Sequence, residues 1–430
     1  MDHLLRPTPR PLLLAAATLL GLLALAGQPA AARAQNPALR GIQISQVRRD
    51  TTTAQINNDL DRAHSLGARV VRTEFSWALL EPSSAGQHDA GYVSKMDALV
   101  AGAGARGMKV LPTVWQTPCW DTTAPPSAGA CPNAATVAYA PRDDAGYAEA
   151  VSWMAARYAS SLAGIEIWNE PDLIGGVYWR APDVAGAYAS LLEAAYPAVK
   201  RAAPAVPVLG GSLIGGNGAF LRALYARGIK GFYDGLAIHH YDLVLAAIRT
   251  THAIMLAAGD HAPLWLTEFG LSTCLPARRS GATGQTCVSP GQQARGIDDV
   301  MRALRSAAYL HAALIYSLDD RDGGHFGVWG KPAQTVTHRV LTGYLPPVRA
   351  PTIRLVRRSG HVSAAGSAPF GDLVEIRVFL PDTLTASLIA TILPDRAGRY
   401  TLALPAVLSR LHLRLDIRQL GSGRRVTRLV

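Results

Sequence analysis

Short apolar runs alternate with longer amphipathic segments along most of the chain. From Gly41 to about Tyr344, apolar runs are separated by segments whose apolar residues recur at helical spacing. This alternation is typical of parallel strands that are joined by crossover helices. The apolar runs predict eight strands, at 41–45, 70–74, 109–114, 164–168, 206–211, 235–240, 264–267 and 312–318. Eight is also the number of strands that closes a parallel barrel.

Helical signals fill the gaps between these strands. Apolar residues recur with helical spacing from 59 to 66, before the second strand, and from 147 to 158, before the fourth. A third helix is predicted from 182 to 203, where Pro182 takes a position that the first helical turn tolerates.

The hydrophobic pattern changes after the two prolines at 346 and 347. From 411 to 418, apolar and polar residues alternate strictly, which is typical of a half-buried antiparallel strand. Three further segments fit the same design, with turns between them. The segments are 373–380, 386–393 and 400–404, and the turns are 381–382 and 395–398.

Length and composition agree with a chain of two folded parts. A chain of 430 residues favours more than one domain, and 49% hydrophobic with 17% charged residues is typical of a packed globular protein. We predict the α/β fold class, with a (β/α)8 TIM barrel at 35–346. A small all-β C-terminal domain, an immunoglobulin-like sandwich with an accessory role, is predicted at 350–430.

The first residues have the pattern of an export signal. Arg6 and Arg10 precede an apolar run at 12–27, and Ala-Arg-Ala at 32–34 fits the small-residue cleavage site of a signal peptide. We therefore expect residues 1–34 to be removed and the mature, secreted chain to begin at Gln35. An uncleaved membrane anchor is the alternative, but the run is shorter than the ~20 residues that a spanning helix needs.

Four cysteines lie in the region predicted as the barrel. An oxidising compartment favours disulfides, and no C-x-x-C spacing of the kind found in metal sites is present. Cys119 with Cys131, and Cys274 with Cys287, are the local pairs that we expect, although four cysteines allow three connectivities.

The net charge of +11 is distributed unevenly. The leader carries three arginines against one aspartate, or +2, and residues 350–430 carry 12 arginines against 5 acids, or +7, which leaves +2 for the rest. A basic domain is attracted to acidic polymers, so cell-wall association is one hypothesis, while an ordinary solvated surface is the simpler interpretation. Nucleic-acid binding is not expected, because no basic run with interleaved aromatics and no recognition motif is present.

Two predicted strands end on a glutamate. The run at 165–172 places Asn169 and Glu170 at a Pro-stopped turn, and the run at 264–270 ends at Glu268. In parallel barrels the chemistry gathers at the carboxyl ends of the strands, so both residues are expected to face one pocket. Hydrolysis of a glycosidic bond without a metal or cofactor needs such a pair, one acid and one nucleophile or base. A single strand-end glutamate can instead cap a helix or pair with a surface arginine, and the paired occurrence favours catalysis.

Further polar and aromatic residues lie near predicted strand ends. Arg72 and Tyr241 are placed to direct a positive charge or a hydrogen at Glu268. A rim salt bridge for Arg72 and an ordinary strand-end role for His239 and its neighbour His240 are the alternatives. Sugar-binding pockets use aromatic rings beside polar groups, and five tryptophans follow predicted strand ends. They are Trp77, Trp115, Trp120, Trp179 and Trp329.

These residues resemble the retaining glycoside hydrolases with a (β/α)8 barrel, the clan of the cellulase-like family 5 and of family 39. The most specific pieces are Trp-Asn-Glu-Pro at 168–171 and Thr-Glu-Phe-Gly at 267–270, and the resemblance covers 41 to about 345. The segments 72–82 and 110–118 are more similar to family 39-like members.

The resemblance implies a role for each matching residue. Glu170 would be the acid and base, Glu268 the nucleophile, and Asn169 a partner of the sugar 2-hydroxyl. Arg72 would support the nucleophile, and His239-His-Tyr241 matches the His-x-Tyr of strand six in the clan.

We therefore expect a secreted retaining glycosidase that cleaves a polysaccharide or glycoconjugate by double displacement, without a cofactor or metal. A carbohydrate-binding surface protein without turnover and a transglycosidase are the two alternatives.

Overall fold

The structure is a computed structural model, and it describes most of the chain from residue 37 onwards. The described residues are 37–214, 218–241, 244–274, 287–343, 350–358, 361–369, 373–380, 386–395, 398–405, 407–408, 411–419 and 425–429. The expected signal peptide at 1–34 and the expected turn at 381–382 lie outside them, as does the middle of the turn at 395–398.

The strands of the first region form a closed parallel barrel. They are β1 (Leu39–Gln43), β2 (Val70–Ser76), β3 (Lys109–Trp115), β4 (Ile165–Ile167), β5 (Val208–Leu213), β6 (Gly235–His239), β7 (Leu264–Phe269) and β8 (Leu310–Ile315). Each strand pairs with the next in the chain, and β8 pairs with β1 to close the ring. The eight predicted strands are therefore confirmed, with ends that differ by a few residues.

Helices follow the strands of the barrel. They are α1 (Thr53–Ser65), α2 (Trp77–Leu80), α3 (Ala90–Ala105), α4 (Asp144–Tyr158), α5 (Val184–Ala202), α6 (Ala219–Tyr225), α7 (Val244–Ala257), α8 (Pro290–Leu304) and α9 (Pro332–Thr342). The side chain of Asp183 caps α5 by accepting a hydrogen bond from the Gly186 N–H, so Pro182 precedes the helix and does not lie in its first turn. None of the described helices has the length and apolar character that crossing a membrane requires.

The barrel interior changes from apolar to polar towards the carboxyl ends of the strands. Side chains alternate between the two faces of a strand, so Val70 and Arg72 of β2 point to the same side, as do Leu111 and Thr113 of β3. Val70 and Leu111 belong to one buried apolar cluster, whereas Arg72, Thr113 and Glu166 are buried polar residues. The apolar layer therefore supports a polar layer at the end of the barrel where parallel barrels carry their active sites.

The C-terminal region is all β. Its strands are β9 (Thr352–Arg358), β10 (His361–Ser367), β11 (Val374–Phe379), β12 (Leu388–Ile392), β13 (Arg399–Leu404), β14 (Arg414–Gln419) and β15 (Arg425–Leu429). They form two antiparallel sheets, in the orders β13-β10-β9 and β12-β11-β14-β15. Ile353 and Tyr400 of the first sheet share one buried cluster with Ile376 and Leu415 of the second. The expected all-β region is confirmed, while its exact boundaries and its immunoglobulin-like class stay predictions.

Both expected disulfides are present. Cys119 and Cys131 are bonded with their Cα atoms 5.7 Å apart, and Cys274 and Cys287 with theirs 5.1 Å apart. The first bond closes the long segment between β3 and α4, and the second closes the segment after β7. Each disulfide therefore joins two residues that follow the carboxyl end of a barrel strand.

Candidate active site

Glu170 and Glu268 meet at the carboxyl ends of β4 and β7. The backbone of Trp168 and Glu170 has φ values of 69° and 45°, a left-handed conformation that L-residues adopt at an energetic cost. These residues form the turn that follows β4, and Glu268 lies near the end of β7. A carboxylate oxygen of Glu170 and one of Glu268 lie within 4.8 Å of each other. Both residues are almost fully buried, with exposed fractions of 6% and 4%.

Arg72 is the central cation of the site. Its Nη1 donates to Glu268 Oε1 and, at 2.9 Å, to Gln43 Oε1. Its Nε donates to Glu166 Oε2 at 2.7 Å, and its Nη2 donates to Asn169 Oδ1 at 3.0 Å. Burial lowers the pKa of Arg72, but the negative charges of Glu166 and Glu268 raise it by more. The guanidinium therefore stays protonated.

Glu166 lies below Glu170 and Glu268 and has no exposed surface. It accepts hydrogen bonds from the hydroxyls of Thr113 and Thr267 in addition to the one from Arg72. Burial raises the pKa of Glu166, but the Arg72 guanidinium and these hydroxyls lower it by more, so the pKa lies below its usual value. Glu166 is therefore an ionised structural partner of Arg72, and its own oxygens are occupied by protein donors.

Glu268 is surrounded by hydrogen-bond donors. Tyr241 donates its hydroxyl hydrogen to Glu268 Oε2, while Arg72 holds the other oxygen. Burial, together with Glu268 itself, keeps the pKa of Tyr241 well above its usual value, so the phenol remains a donor. Burial also raises the pKa of Glu268, and the contacts with Arg72 and Tyr241 oppose this by stabilising the carboxylate.

Glu170 has the opposite environment. Burial, and then the negative charges of Asp172 and Glu166, raise its pKa to about 8. Its closest ionisable neighbour is His239, whose Nδ1 lies 2.8 Å from Glu170 Oε1. Burial lowers the pKa of His239, so the imidazole is neutral and adds no positive charge. Glu170 therefore holds a proton at neutral pH, whereas Glu268 has a permanent cation in contact, and the two carboxyl groups suit an acid and a nucleophile.

The same cluster has the spacing of a metal site. Oxygens of Glu170 and Glu268 and a ring nitrogen of His239 all lie within 4.8 Å of one another. Arg72 already pairs with Glu268, and its charge repels a second cation at this position. The proton on Glu170 and the guanidinium of Arg72 balance the charge of the cluster, an arrangement that can serve an acid and a nucleophile.

A cavity of about 580 Å³ lies at this end of the barrel. Its walls include Glu74, aromatic rings and polar residues of the segment after β1; the rings are Trp115, Tyr178, Tyr316 and Phe326. Tyr241 contacts two of these rings, with centroid distances of 6.0 Å to Tyr316 and 5.1 Å to Phe326. The cavity therefore adjoins the residue that holds Glu268, and its aromatic and polar walls suit a sugar.

Three of the five candidate tryptophans, Trp77, Trp115 and Trp329, have different environments in the structure. Trp115 lines the cavity and donates its indole hydrogen to Glu74. Trp77 is completely buried, donates to Glu81 and packs in the core, so no sugar reaches its ring and the expectation for it is corrected. Trp329 is half-buried outside the cavity walls, where Arg62 covers its ring at 5.1 Å. The other expected site residues, Arg72, Asn169, His239 and Tyr241, all lie in the hydrogen-bonded cluster around Glu170 and Glu268.

Sequence reasoning missed several residues of the site. Glu166 stands in the middle of the buried run Ile-Glu-Ile, and a charged residue there signals a partner inside the barrel. Glu74 comes two residues after Arg72, so strand alternation places it on the same face. Tyr178 and Phe326 come from loops after β4 and β8, where no periodic pattern predicts their position.

Comparisons with known proteins agree with this geometry. The family model described as Cellulase (glycosyl hydrolase family 5) matches residues 30–218, and the model described as Glycosyl hydrolase catalytic core matches residues 147–322. No curated protein sequence matches the chain.

Similar solved structures include three family 39 enzymes. A family 39 glycoside hydrolase from the gut symbiont Bacteroides cellulosilyticus WH2 is 18% identical, covers 85% of this chain and 79% of its own, and has a TM-score of 0.54. A GH39 beta-xylosidase from Caulobacter crescentus is also 18% identical. The match covers 86% of this chain and 94% of the xylosidase, with a TM-score of 0.54. A GH39 enzyme from Xanthomonas axonopodis pv. citri is 15% identical. The match covers 89% of this chain and 94% of that enzyme, with a TM-score of 0.53. At these identities the likeness shows the fold alone.

The family matches and the observed architecture lead to the same conclusion. The two matches together run from residue 30 to residue 322, the region that contains the closed barrel. The barrel carries buried glutamates at the carboxyl ends of β4 and β7. The chain is therefore a glycosidase with a (β/α)8 barrel.

Proposed function

We propose that this glycosidase is a retaining hydrolase that cleaves a polysaccharide or glycoconjugate by double displacement. The observation that supports the proposal is the separation of the carboxyl groups. Oxygens of Glu170 and Glu268 lie within 4.8 Å of each other. Retaining enzymes keep the two groups about 5–5.5 Å apart, whereas inverting enzymes leave about 6.5–9.5 Å for a water molecule.

In the first step Glu268 attacks the anomeric carbon of the bound sugar. The bond from that carbon to the leaving oxygen breaks, and Glu170 gives its proton to this oxygen. Arg72 and Tyr241 hold the nucleophile in position, and the raised pKa of Glu170, about 8, keeps its proton available at neutral pH. The step leaves a glycosyl ester on Glu268 and a carboxylate on Glu170.

In the second step Glu170 acts as the base. It takes a proton from a water molecule, whose oxygen attacks the anomeric carbon from the side that the first leaving group vacated. The ester bond to Glu268 breaks, and its carboxylate returns to the donors on Arg72 and Tyr241. Two inversions at the same carbon give net retention, and Glu170 is protonated again for the next cycle.

Replacement of the nucleophile tests the proposal. We expect Glu268→Ala to lose turnover on aryl glycosides, because the carboxylate that forms the ester is removed. External azide should restore activity and give a glycosyl azide with inverted configuration. Glu166→Ala removes a neighbouring buried carboxylate and serves as the control, because azide should not restore it. Unchanged activity of Glu268→Ala would refute the proposal.

The role of Glu170 has a separate test. Substrates with good leaving groups need little protonation, so Glu170→Gln should lose less activity on a dinitrophenyl glycoside than on an alkyl glycoside. External azide should also accelerate the variant on the good leaving group, because an anion needs no base. Equal losses on both substrates would contradict the assignment of Glu170 as the acid.

We further propose that the protein is exported and that its C-terminal β region binds acidic cell-surface polymers. The pattern at 1–34 and the two disulfides support export. In the second sheet Arg418 lies directly opposite Arg425, and Arg414 lies four residues from Arg418 on the same face. Asp416 pairs with Arg425, and Glu375 lies opposite Arg418 on its other side. With Arg377, this face of the sheet still carries four arginines against these two carboxylates, and the excess positive charge attracts a polyanion.

Two measurements test these locations. N-terminal sequencing of protein collected from the culture medium should begin at Gln35, and retention of residues 1–34 would contradict export with cleavage.

The double variant Arg418→Gln/Arg425→Gln should bind purified acidic cell-wall polymer more weakly than the wild type at low salt. Arg157→Gln, which changes an exposed arginine of the barrel, is the control. Equal binding by both variants would contradict the proposed surface.

A further inference from the structure

Glu74 is a further carboxylate beside the catalytic pair, and the proposed chemistry does not use it. It lies on β2 two residues beyond Arg72, so the alternation of side chains points it to the same face, nearer the open end of the barrel. It is the half-buried position in a strand whose other residues are buried. Together with Trp115 and Tyr178 it lines the cavity of about 580 Å³.

Most of the hydrogen-bonding capacity of Glu74 is unused. Trp115 Nε1 donates to Glu74 Oε2 at 2.9 Å. Within the described part of the chain, no other hydrogen bond and no ion pair involves this carboxylate. A carboxylate accepts about four hydrogen bonds, so the remaining positions of Glu74 are open to donors in the cavity.

Glu81 provides an internal comparison. It accepts the same kind of bond, from Trp77 Nε1 at 2.8 Å. Its second oxygen is occupied, because Gly86 N donates to it and His88 Nε2 lies beside it, each at 3.1 Å. Glu81 is 1% exposed and is not among the residues that line the cavity. Both oxygens of Glu81 thus have partners within the protein, as expected of a carboxylate–indole pair that serves only packing. Glu74, in contrast, has acceptor positions that face the cavity.

The charge of the cavity wall restricts the ligand. The charged residues of the wall are Arg48, Asp50, Glu74, Asp319, Arg321 and Asp322, four carboxylates against two guanidiniums. Arg321 is already paired with Asp319 and Asp59. The cavity is therefore acidic in a chain whose net charge is +11. A sugar that carries a carboxylate would be repelled beside Glu74, whereas sugar hydroxyls would donate to it.

We propose that Glu74 is a specificity-determining residue, which accepts hydrogen bonds from the hydroxyls of an uncharged sugar held beside Trp115 and excludes uronates from this position. The inference rests on the proposed hydrolysis at Glu170 and Glu268. It narrows the substrate to a glycan whose unit in this cavity is uncharged.

The variant Glu74→Gln tests the inference. The probes are an uncharged aryl glycoside and the matching uronide, which carries a carboxylate on C5. Removal of a charged acceptor should lower kcat/KM on the uncharged glycoside about 10- to 100-fold, mainly through KM, because the contact exists before and during bond cleavage. On the uronide the repulsion disappears, so the ratio of the two kcat/KM values should fall at least about 10-fold.

A matched control separates recognition from packing. Glu81→Gln weakens the equivalent carboxylate–indole bond away from the cavity, and it should leave the ratio of the two kcat/KM values unchanged. Calorimetric titration of uncharged oligosaccharides into the wild type and Glu74→Gln gives a readout that does not depend on turnover, and the variant should bind more weakly.

Two results would overturn the inference. One is an unchanged ratio in Glu74→Gln together with unchanged binding of oligosaccharides. The other is an equal loss on both glycosides with a displaced pH profile, which would assign Glu74 to electrostatic support of Glu170. A wild type that binds the uncharged oligosaccharide, while Glu268→Ala keeps full turnover, would instead refute the proposed hydrolysis and leave the binding role of Glu74 supported.

Discussion

Replacement of Arg72 by methionine tests how the buried charges of the site are balanced. Arg72 has no exposed surface, and its guanidinium is the cation in contact with both Glu166 and Glu268. Arg72→Met keeps a long apolar side chain but removes the positive charge and its hydrogens. Two buried carboxylates then lack a counter-ion in a site from which water is largely excluded.

The size of the effect follows from the cost of an uncompensated buried charge. Removal of one partner from a buried ion pair typically costs about 3–5 kcal/mol. The orphaned carboxyls avoid the full penalty by taking up protons. For a group with an ordinary pKa of about 4.3, protonation at pH 7 costs about 1.4 kcal/mol per pH unit, or close to 4 kcal/mol. We therefore expect Arg72→Met to lose about 3–5 kcal/mol of unfolding free energy at pH 7.

The loss should depend on pH with a definite sign. In the wild type the pKa of Glu166 is lowered, so its contribution to stability is present above the ordinary pKa and is lost as the pH falls. In Arg72→Met the pKa values of Glu166 and Glu268 in the folded state rise. Their contribution to stability is then present at low pH and is lost as the pH increases. The difference between the two proteins should therefore be largest near pH 7 and smallest near pH 4.5.

Urea unfolding followed by fluorescence between pH 4.5 and 8 measures this difference. Arg157→Met is the control, because Arg157 pairs with Asp97 at 2.7 Å while both side chains are about 40% exposed. Exposed pairs contribute about 0–1 kcal/mol, so the control should lose little at any pH. A loss in Arg72→Met that is below about 1 kcal/mol, or that does not vary with pH, would refute the reasoning.

Three further outcomes are expected. The kcat/KM of the wild type should fall above about pH 8, where Glu170 loses its proton, and Asp172→Asn should move this limb to lower pH; a limb that does not move would contradict the role of Asp172. Tyr241→Phe should lower kcat/KM about 10- to 100-fold, because Glu268 loses a donor, and kinetics equal to the wild type would contradict that contact. Replacement of both Cys119 and its partner Cys131 by serine should lower the unfolding free energy by about 2–4 kcal/mol, and urea curves that superimpose on the wild type would contradict the bond.

The strands and the positions of the two strand-end glutamates were predictable because their signals are local. A strand buried in a parallel barrel has an apolar sequence, and a polar residue at its end is easily recognised. Glu170 and Glu268 follow such runs, and the structure brings them together as expected. The position of Arg72 was predicted from the same strand-end reasoning and from the resemblance.

Features that depend on side-chain direction or loop conformation were not predictable. Trp77 follows β2 directly, as Trp115 ends β3, but Trp77 begins a short helix that turns its ring into the core. Tyr178 lines the cavity from a loop, and a loop has no hydrophobic periodicity from which the direction of a side chain could be predicted. In the C-terminal region β9, β10 and β15 were missed. In β9 the alternation at 352–355 covers only four residues before Val356 interrupts it, and Ile353 is its one buried residue.

The anomeric configuration of the first product tests the central claim most directly. Proton NMR can follow hydrolysis of an aryl glycoside from the first minute, before mutarotation mixes the anomers. Retaining chemistry requires that Glu268 bonds to the sugar and that Glu170 then activates water, so the first product should have the configuration of the substrate. A first product with inverted configuration would show that water attacks directly, and it would contradict the role of Glu268 as a nucleophile.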